Sequence, residues 1–229
     1  MWYERIIFMS YSIHKLNNMK NAFSISVSSE RLKSWEHCHK EFYCAIGTSY
    51  SSKELSLHLT AYLASFGMYT RKSKLMLQNS YLVHVGLIDI LMDTKYIPLF
   101  FIYDANDFIK CQSKIIDVYK EIKDYYKTKV IGKFVPSETL VTKIMLGVYG
   151  CIPALDTFVS ASLRSNGYPF GNFNSYLSTL CSVCSDKNVD TQIMSLKSSG
   201  LTYMRILDGM LWNDGEKILQ KKNKGKKKK

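Results

Sequence analysis

The sequence lacks any run of about 18 apolar residues, the length that a membrane-spanning helix needs. Its first 13 residues, MWYERIIFMSYSI, also lack the small-residue cleavage site of a signal peptide. Cysteines are sparse, with six in 229 residues, which is typical of a reducing compartment where thiols stay free. We therefore expect a cytoplasmic protein that does not span a membrane.

Several familiar site motifs are missing as well. There is no Walker loop, dinucleotide fingerprint or H-E-x-x-H motif, and no internal repeat. Zinc needs four protein ligands, or three and a water. The metal-capable residues cluster in WEHCHKEFYC and again far downstream: His37, Cys38, His39, Cys44, Cys181 and Cys184. A single C-x-x-C in a helical segment is more often a pair of buried thiols, so we predict no metal and no cofactor.

Sustained strand alternation is absent, apart from FSISV at residues 23–27. Helical spacing recurs instead, and this predicts an all-α fold. Ser51 is placed to cap a helix that breaks near Gly67, and Ser137 is placed to cap another that ends near Gly147 and Gly150. Residues 105–130 predict one long amphipathic helix, with an apolar stripe and a solvated lysine-bearing surface. The stripe comprises Phe108, Cys111, Ile115, Tyr119, Ile122 and Tyr126.

Positive charge is abundant, with a net charge of +12. Such a balance favours polyanionic partners such as nucleic acid or an acidic membrane surface. Seven of the lysines lie in residues 221–229, so the rest of the chain carries only +5. We predict an N-terminal extension over 1–28, a helical domain over 29–220 and a disordered lysine-rich tail over 221–229.

One acid stands alone in GVYGCIPALDTFVSASL, residues 147–163. Asp156 follows a turn that contains Pro153 and precedes a helix predicted from about Leu155 to Arg164. An aspartate in that position is a good helix N-cap. The same position suits a catalytic carboxylate, because the helix dipole favours negative charge there.

This segment resembles the catalytic region of the helix-hairpin-helix DNA glycosylases. The match comprises Pro153, Leu155, Asp156 and Val159. A second fragment, residues 74–91, resembles the helix-loop-helix whose polar loop enters the duplex near the extruded base in that family. Both fragments come in the family's order and cover about a third of the chain. The resemblance implies a helical glycosylase-like fold with a helix-hairpin-helix-type element, and two subdomains around a cleft are one such arrangement.

The chain departs from the family's pattern at the hairpin. VIGKFVPSET keeps Gly132 but has no second glycine. Ser137 and Glu138 stand in the region where lyase-competent members carry a lysine, so the resemblance implies a monofunctional, hydrolytic enzyme. Only Cys181 and Cys184 are available for the iron–sulfur loop of other members, so no cluster is expected.

The resemblance also implies roles for individual residues. Asp156 would stabilise the positive charge that develops on the deoxyribose as the base leaves. Flipping a base out of the duplex costs a few kcal/mol. Gln78, Asn79 and Ser80 would fill the space that the flipped base leaves. The candidates for DNA-backbone contact are Arg71, Lys133, Thr139 and Lys143. The candidates for a base pocket are Tyr69, His84 and Trp35.

Two alternatives remain open from the sequence. In the first, the protein is a noncatalytic helical nucleic-acid-binding or interaction protein, and Asp156 only caps a helix. In the second, it is a defence or toxin effector with a different site. Within the glycosylase hypothesis, double-stranded DNA with a modified base is the partner. A modified base in phage DNA, and hence an antiviral role, is an extension of that hypothesis.

Overall fold

A computed structural model describes residues 30–69, 75, 79–130, 134–197 and 201–226. Every regular element in these ranges is helical, which confirms the all-α class. None of the described helices is long and apolar enough to cross a membrane. The segment FSISV and the N-terminal extension predicted over 1–28 lie outside the described residues.

The helices follow one another with short connections. The α-helices are Glu30–Cys44 (α1), Ser52–Ser65 (α2), Val85–Leu91 (α3), Ala105–Lys110 (α4), Gln112–Lys129 (α5), Glu138–Tyr149 (α6), Thr157–Ser165 (α7), Phe173–Cys184 (α8), Lys187–Leu196 (α9) and Tyr203–Lys226 (α10). Two 3₁₀-helices, Tyr81–His84 and Thr94–Phe101, flank α3.

Helix α6 is the centre of the core. All residues from Leu140 to Tyr149 are buried, as expected for a helix that is mostly apolar on every face. The Ser137 side chain accepts a hydrogen bond from the Leu140 N–H at 3.1 Å, so the predicted cap is confirmed. Gly150 ends the helix in the left-handed region, at φ +61°, a conformation that glycine adopts without steric cost.

Helices α1 and α2 pack against α6 through large aromatic side chains. The Trp35 indole N–H donates to the Leu146 carbonyl at 2.7 Å. A Cβ at position 147 would lie 2.3 Å from the Tyr62 ring, so the glycine at that position lets α2 approach α6 closely. The close packing of α2 on α6 therefore depends on the absence of a side chain at position 147.

The long helix α10 packs along α7 at similarly short range. A Cβ at Gly215 would lie 1.8 Å from the Phe158 carbonyl oxygen. The Trp212 and Phe158 rings lie 4.7 Å apart, and the Ser162 hydroxyl donates to Asp214 at 2.7 Å. Helix α7, which Asp156 caps, is thus held along its length by the first half of α10.

Two segments differ from the sequence prediction. The helix predicted over 105–130 is divided at Cys111, where ψ is near 1°. Residues 221–226, predicted to be disordered, instead extend α10 to Lys226. The packed half of α10 supplies the helix nucleus, and adding helix-favouring lysines to an existing end costs little. Residues 227–229 lie outside the described part of the chain.

Gly215→Ala tests the close approach of α10 to α7. Alanine in a helix is normally favourable by about 1 kcal/mol relative to glycine. Here we expect a loss of about 1–3 kcal/mol in the free energy of unfolding, because the new methyl meets backbone rather than a movable side chain. Chemical denaturation measures the change.

Gly171→Ala is the matched control, because a Cβ there would meet nothing within 4 Å. A Gly215→Ala protein as stable as this control would contradict the packing described between α7 and α10.

Candidate functional site

Asp156 is the N-cap of α7, as the sequence predicts. Its Oδ1 accepts hydrogen bonds from the N–H groups of Phe158 and Val159, both at 3.0 Å. The side chain is 14% exposed, so the carboxylate is largely enclosed but not sealed from solvent. The helix N-terminus therefore stabilises a negative charge at a position that retains some solvent contact.

The turn before Asp156 is pinned by side chains from two neighbouring helices. The Tyr176 hydroxyl of α8 donates to the Pro153 carbonyl at 3.0 Å. On α6, Thr142 Oγ1 accepts from the Leu155 N–H at 2.8 Å, and the Thr139 hydroxyl donates to the Leu155 carbonyl at 2.7 Å. Each such bond contributes about 0.5–1.5 kcal/mol net, and leaving the buried peptide groups unpaired would cost more.

A third helix, α10, fixes the middle of the turn through Asp208. Its Oδ1 accepts from the Ala154 N–H at 2.9 Å, and its Oδ2 is paired with the Arg205 guanidinium. Burial raises the pKa of Asp208, while Arg205 and Lys143 oppose that rise. The Asp208 carboxylate thus has two hydrogen-bonding partners in the interior, one of them backbone.

Lys143 is paired with Asp156. The Lys143 Nζ lies 3.4 Å from the Asp156 Oδ2, and its side chain is only 7% exposed. The same ammonium lies 4.8 Å from the centre of the Phe66 ring, a cation–π distance. Helix α6 therefore turns Lys143 into the core and toward the carboxylate, and its contact with a DNA phosphate stays a prediction.

Two cations and two carboxylates are therefore enclosed together at the junction of α6, α7 and α10. Lys143 and Arg205 balance Asp156 and Asp208, which suits a region where an unpaired charge would be expensive. The Tyr62 hydroxyl is also buried and has no hydrogen-bond partner among the described residues. Its pKa is raised well above the usual value, first by burial and next by Asp208. We call these five residues the polar cluster.

The predicted wedge residues are only partly described. The Asn79 side-chain amide donates to the Leu75 carbonyl at 2.8 Å, and the Ser80 hydroxyl caps the following 3₁₀-helix by accepting from the Leu82 N–H at 3.3 Å. Both therefore shape a turn, and Ser80 is exposed at its surface. Gln78 lies outside the described residues, as do two predicted backbone contacts, Arg71 and Lys133.

The remaining backbone candidate, Thr139, uses its hydroxyl on the Leu155 carbonyl. Its role in this structure is to hold the turn that carries Asp156. The predicted hairpin falls on the connector between α5 and α6, where residues 131–133 lie outside the described residues. The helix-hairpin-helix element stays a prediction.

The predicted base-pocket residues Tyr69 and His84 do contact each other, with His84 in the interior and Tyr69 half-buried. The Tyr69 hydroxyl lies 3.0 Å from the His84 Nε2, and the Tyr126 hydroxyl lies 2.8 Å from its Nδ1. His84 is fully buried, and burial lowers its pKa to about 4. In this conformation His84 joins α5 to the 3₁₀-helix and is closed to an incoming base.

Trp35 is also a core residue and not an open pocket wall. It is 1% exposed, and the His39 ring stacks on it at 4.9 Å. The Arg205 guanidinium lies 5.7 Å from its ring centre, at the edge of the polar cluster. Trp35 therefore connects helix α1 to Arg205, a member of the polar cluster.

The sequence prediction missed Asp208, Thr142 and Tyr176. One signal was present, since Asp208 is a lone acid inside the apolar stretch TYMRILDGMLW, as Asp156 is in its own segment. A threonine or tyrosine carries no comparable signal, because its partner here is a backbone group distant in sequence.

Comparison with protein-family models, with curated proteins and with solved structures gave no match to this chain. Among the described residues, no group of three or more histidine, cysteine, aspartate or glutamate side chains is arranged to hold a metal ion. The six cysteines form no disulfide. The chemistry of the site is therefore inferred from the polar cluster and the pinned turn.

The burial of His84 predicts a pH dependence of stability. A histidine in an unfolded chain has a pKa of about 6.5, whereas His84 in the folded protein has a pKa of about 4. The folded state therefore disfavours protonation. The neutral ring contributes fully to the free energy of unfolding above about pH 6.5. This contribution is lost as the pH falls toward 4, by about 3 kcal/mol in total.

Urea denaturation of the wild type and of His84→Gln between these pH values measures the effect. The variant should lose less stability than the wild type over that window. His37→Gln, at an exposed position, controls for the substitution itself and should retain the wild-type slope. An equal pH slope for His84→Gln and wild type would contradict the assignment.

Proposed function

We propose that this protein is a monofunctional DNA glycosylase that flips a modified base out of duplex DNA and hydrolyses its N-glycosidic bond. The observation that carries the proposal is the pinned turn. Side chains from three helices fix the peptide groups of residues 153–155 so that Asp156 begins α7 in one orientation. Such preorganisation is what electrostatic catalysis requires, because the carboxylate need not reorganise during the reaction.

Asp156 is the proposed catalytic carboxylate. Positive charge develops on the deoxyribose as the glycosidic bond breaks, and an ionised carboxylate next to the sugar stabilises it and orients the attacking water. Oδ1 is committed to the N–H groups of α7, whereas Oδ2 has only the longer contact to Lys143 at 3.4 Å. Oδ2 is therefore the oxygen that we assign to the sugar.

The flipped base leaves a gap in the duplex that a polar loop can fill. Ser80 is exposed beside Asn79 on the turn before α3. We assign this turn, with Gln78 preceding it, to the vacated space. The target base is proposed to be modified, and a modified base of phage DNA is the extension that would give the protein a defensive role.

One observation favours the noncatalytic alternative. Every polar atom of Asp156 already has a partner within the fold, as expected for a residue that only caps a helix and neutralises Lys143. In that case the protein is a helical nucleic-acid-binding protein, and its DNA contacts do no chemistry. The two functions differ in whether DNA loses a base.

Asp156→Asn separates the two functions, because asparagine is an equally good N-cap but carries no charge. It also leaves the buried Lys143 without its carboxylate partner, so we expect a less stable variant and the assays are run where it remains folded. We expect wild type to release a free base and leave alkali-labile abasic sites in at least one modified duplex, including modified phage DNA. The variant should do so about 10²–10⁴-fold more slowly. Single-turnover assays with the enzyme in excess measure the rate.

Circular dichroism and duplex binding measure whether the variant is folded. Asp214→Asn is a matched control, because Asp214 is an aspartate on α10 that contacts α7 through Ser162, away from the turn. It should keep the wild-type rate. Base release by Asp156→Asn at the wild-type rate would contradict the role of Asp156, and no release by wild type from any duplex would contradict the glycosylase proposal.

A further inference from the structure

The last turns of α10 form a helix that leaves the core. Gly215 is buried, whereas no residue among 216–224 is buried. Residues 216–226 carry five lysines and one glutamate. They span about 15 Å at 1.5 Å per residue. We call residues 216–226 the basic arm.

Three lysines of the basic arm share one side of the helix. Lys217, Lys221 and Lys224 are spaced by four and three residues, so they lie in one row within a narrow arc. All three are exposed. We call them the lysine stripe. Like charges at these spacings destabilise a helix, so an anion that neutralises the stripe would stabilise the arm.

The arm begins beside the first turn of α7, the helix that Asp156 caps. Gly215 lies against the Phe158 carbonyl, and Phe158 is the second residue of the helix that Asp156 caps. Lys217 follows Gly215 by only two residues, a rise of about 3 Å. A polyanion bound along the stripe would therefore run outward from the first turn of α7.

The composition of the arm selects the kind of polyanion. A helix that binds a membrane surface needs a broad apolar face, with tryptophan, phenylalanine or leucine opposite its lysines. The arm has only Ile218 and Leu219 as bulky apolar residues, and Gln220 and Asn223 occupy other positions around it. Its contribution is electrostatic, which suits the evenly charged phosphate backbone of DNA.

We propose that the lysine stripe binds the phosphate backbone of duplex DNA and orients the duplex beside Asp156. The choice of DNA as the polyanion rests on the proposed function. The contact is independent of sequence and of base modification, because phosphates carry no base identity. The arm raises the affinity for any duplex, and the site at Asp156 acts on the base.

The salt dependence of DNA binding tests this proposal with the full-length chain. Each phosphate contact contributes about −0.9 to the slope of log K against log salt concentration, so replacing three lysines should reduce the slope by about 2.7. The test variant is Lys217→Gln, Lys221→Gln and Lys224→Gln together, since glutamine keeps helix propensity close to that of lysine. Fluorescence anisotropy with a labelled unmodified duplex gives the slope.

The matched control removes three exposed lysines from α5, where acidic residues are interspersed: Lys120, Lys127 and Lys129, each to glutamine. The control should keep nearly the whole wild-type slope. Equal reductions in both triple variants would mean that net charge alone matters, and this overturns the proposal. An unchanged slope in the stripe variant overturns it too.

A second measurement tests binding of the protein to vesicles that contain phosphatidylserine. Loss of vesicle binding by the stripe variant with DNA binding intact would assign the arm to a membrane surface and overturn the proposal. Where base release occurs, the stripe variant should need more enzyme than wild type to reach its maximal single-turnover rate, whereas the α5 control should need the wild-type amount. If wild type releases no base, the glycosylase proposal fails while the salt slope still decides the role of the stripe.

Discussion

The structure around Asp156 depends on one constraint, which is that buried peptide groups must find hydrogen-bond partners. The turn at residues 153–155 has no regular secondary structure, yet it crosses the junction of α6, α8 and α10. Tyr176, Thr142, Thr139 and Asp208 supply the missing partners from those three helices. The turn therefore has a single conformation only when these three helices are packed together. The packing of the helices thus also fixes the position of Asp156.

The charges of the polar cluster follow from the same constraint. The Asp208 carboxylate can accept a hydrogen bond from the Ala154 N–H in the interior only because Arg205 compensates its charge. Lys143 compensates the charge of Asp156 in the same way. Removing one charged member would leave an uncompensated buried charge, which typically costs about 3–5 kcal/mol. The cluster thus couples the integrity of the core to the orientation of the candidate catalytic group.

The sequence predicted the helical class, the caps at Ser51, Ser137 and Asp156, and the core stripe of α5, because these depend on residues near one another in the chain. It could not place Lys143, which is ordinary in sequence and becomes a partner of Asp156 only when α6 meets α7. His84 is similar, since its burial depends on tyrosines 15 and 42 residues away. Local patterns therefore identified the central carboxylate, while its surroundings required the tertiary fold.

Amide hydrogen exchange at Ala154 and Leu155 tests most directly whether the turn is held by the docked helices. Both N–H groups donate to side chains of other helices. They should exchange only through global unfolding, with the same protection free energy as the amides in the middle of α6. Exchange within about tenfold of the rate of an unprotected amide would show that the turn opens locally. That result would contradict a preorganised Asp156.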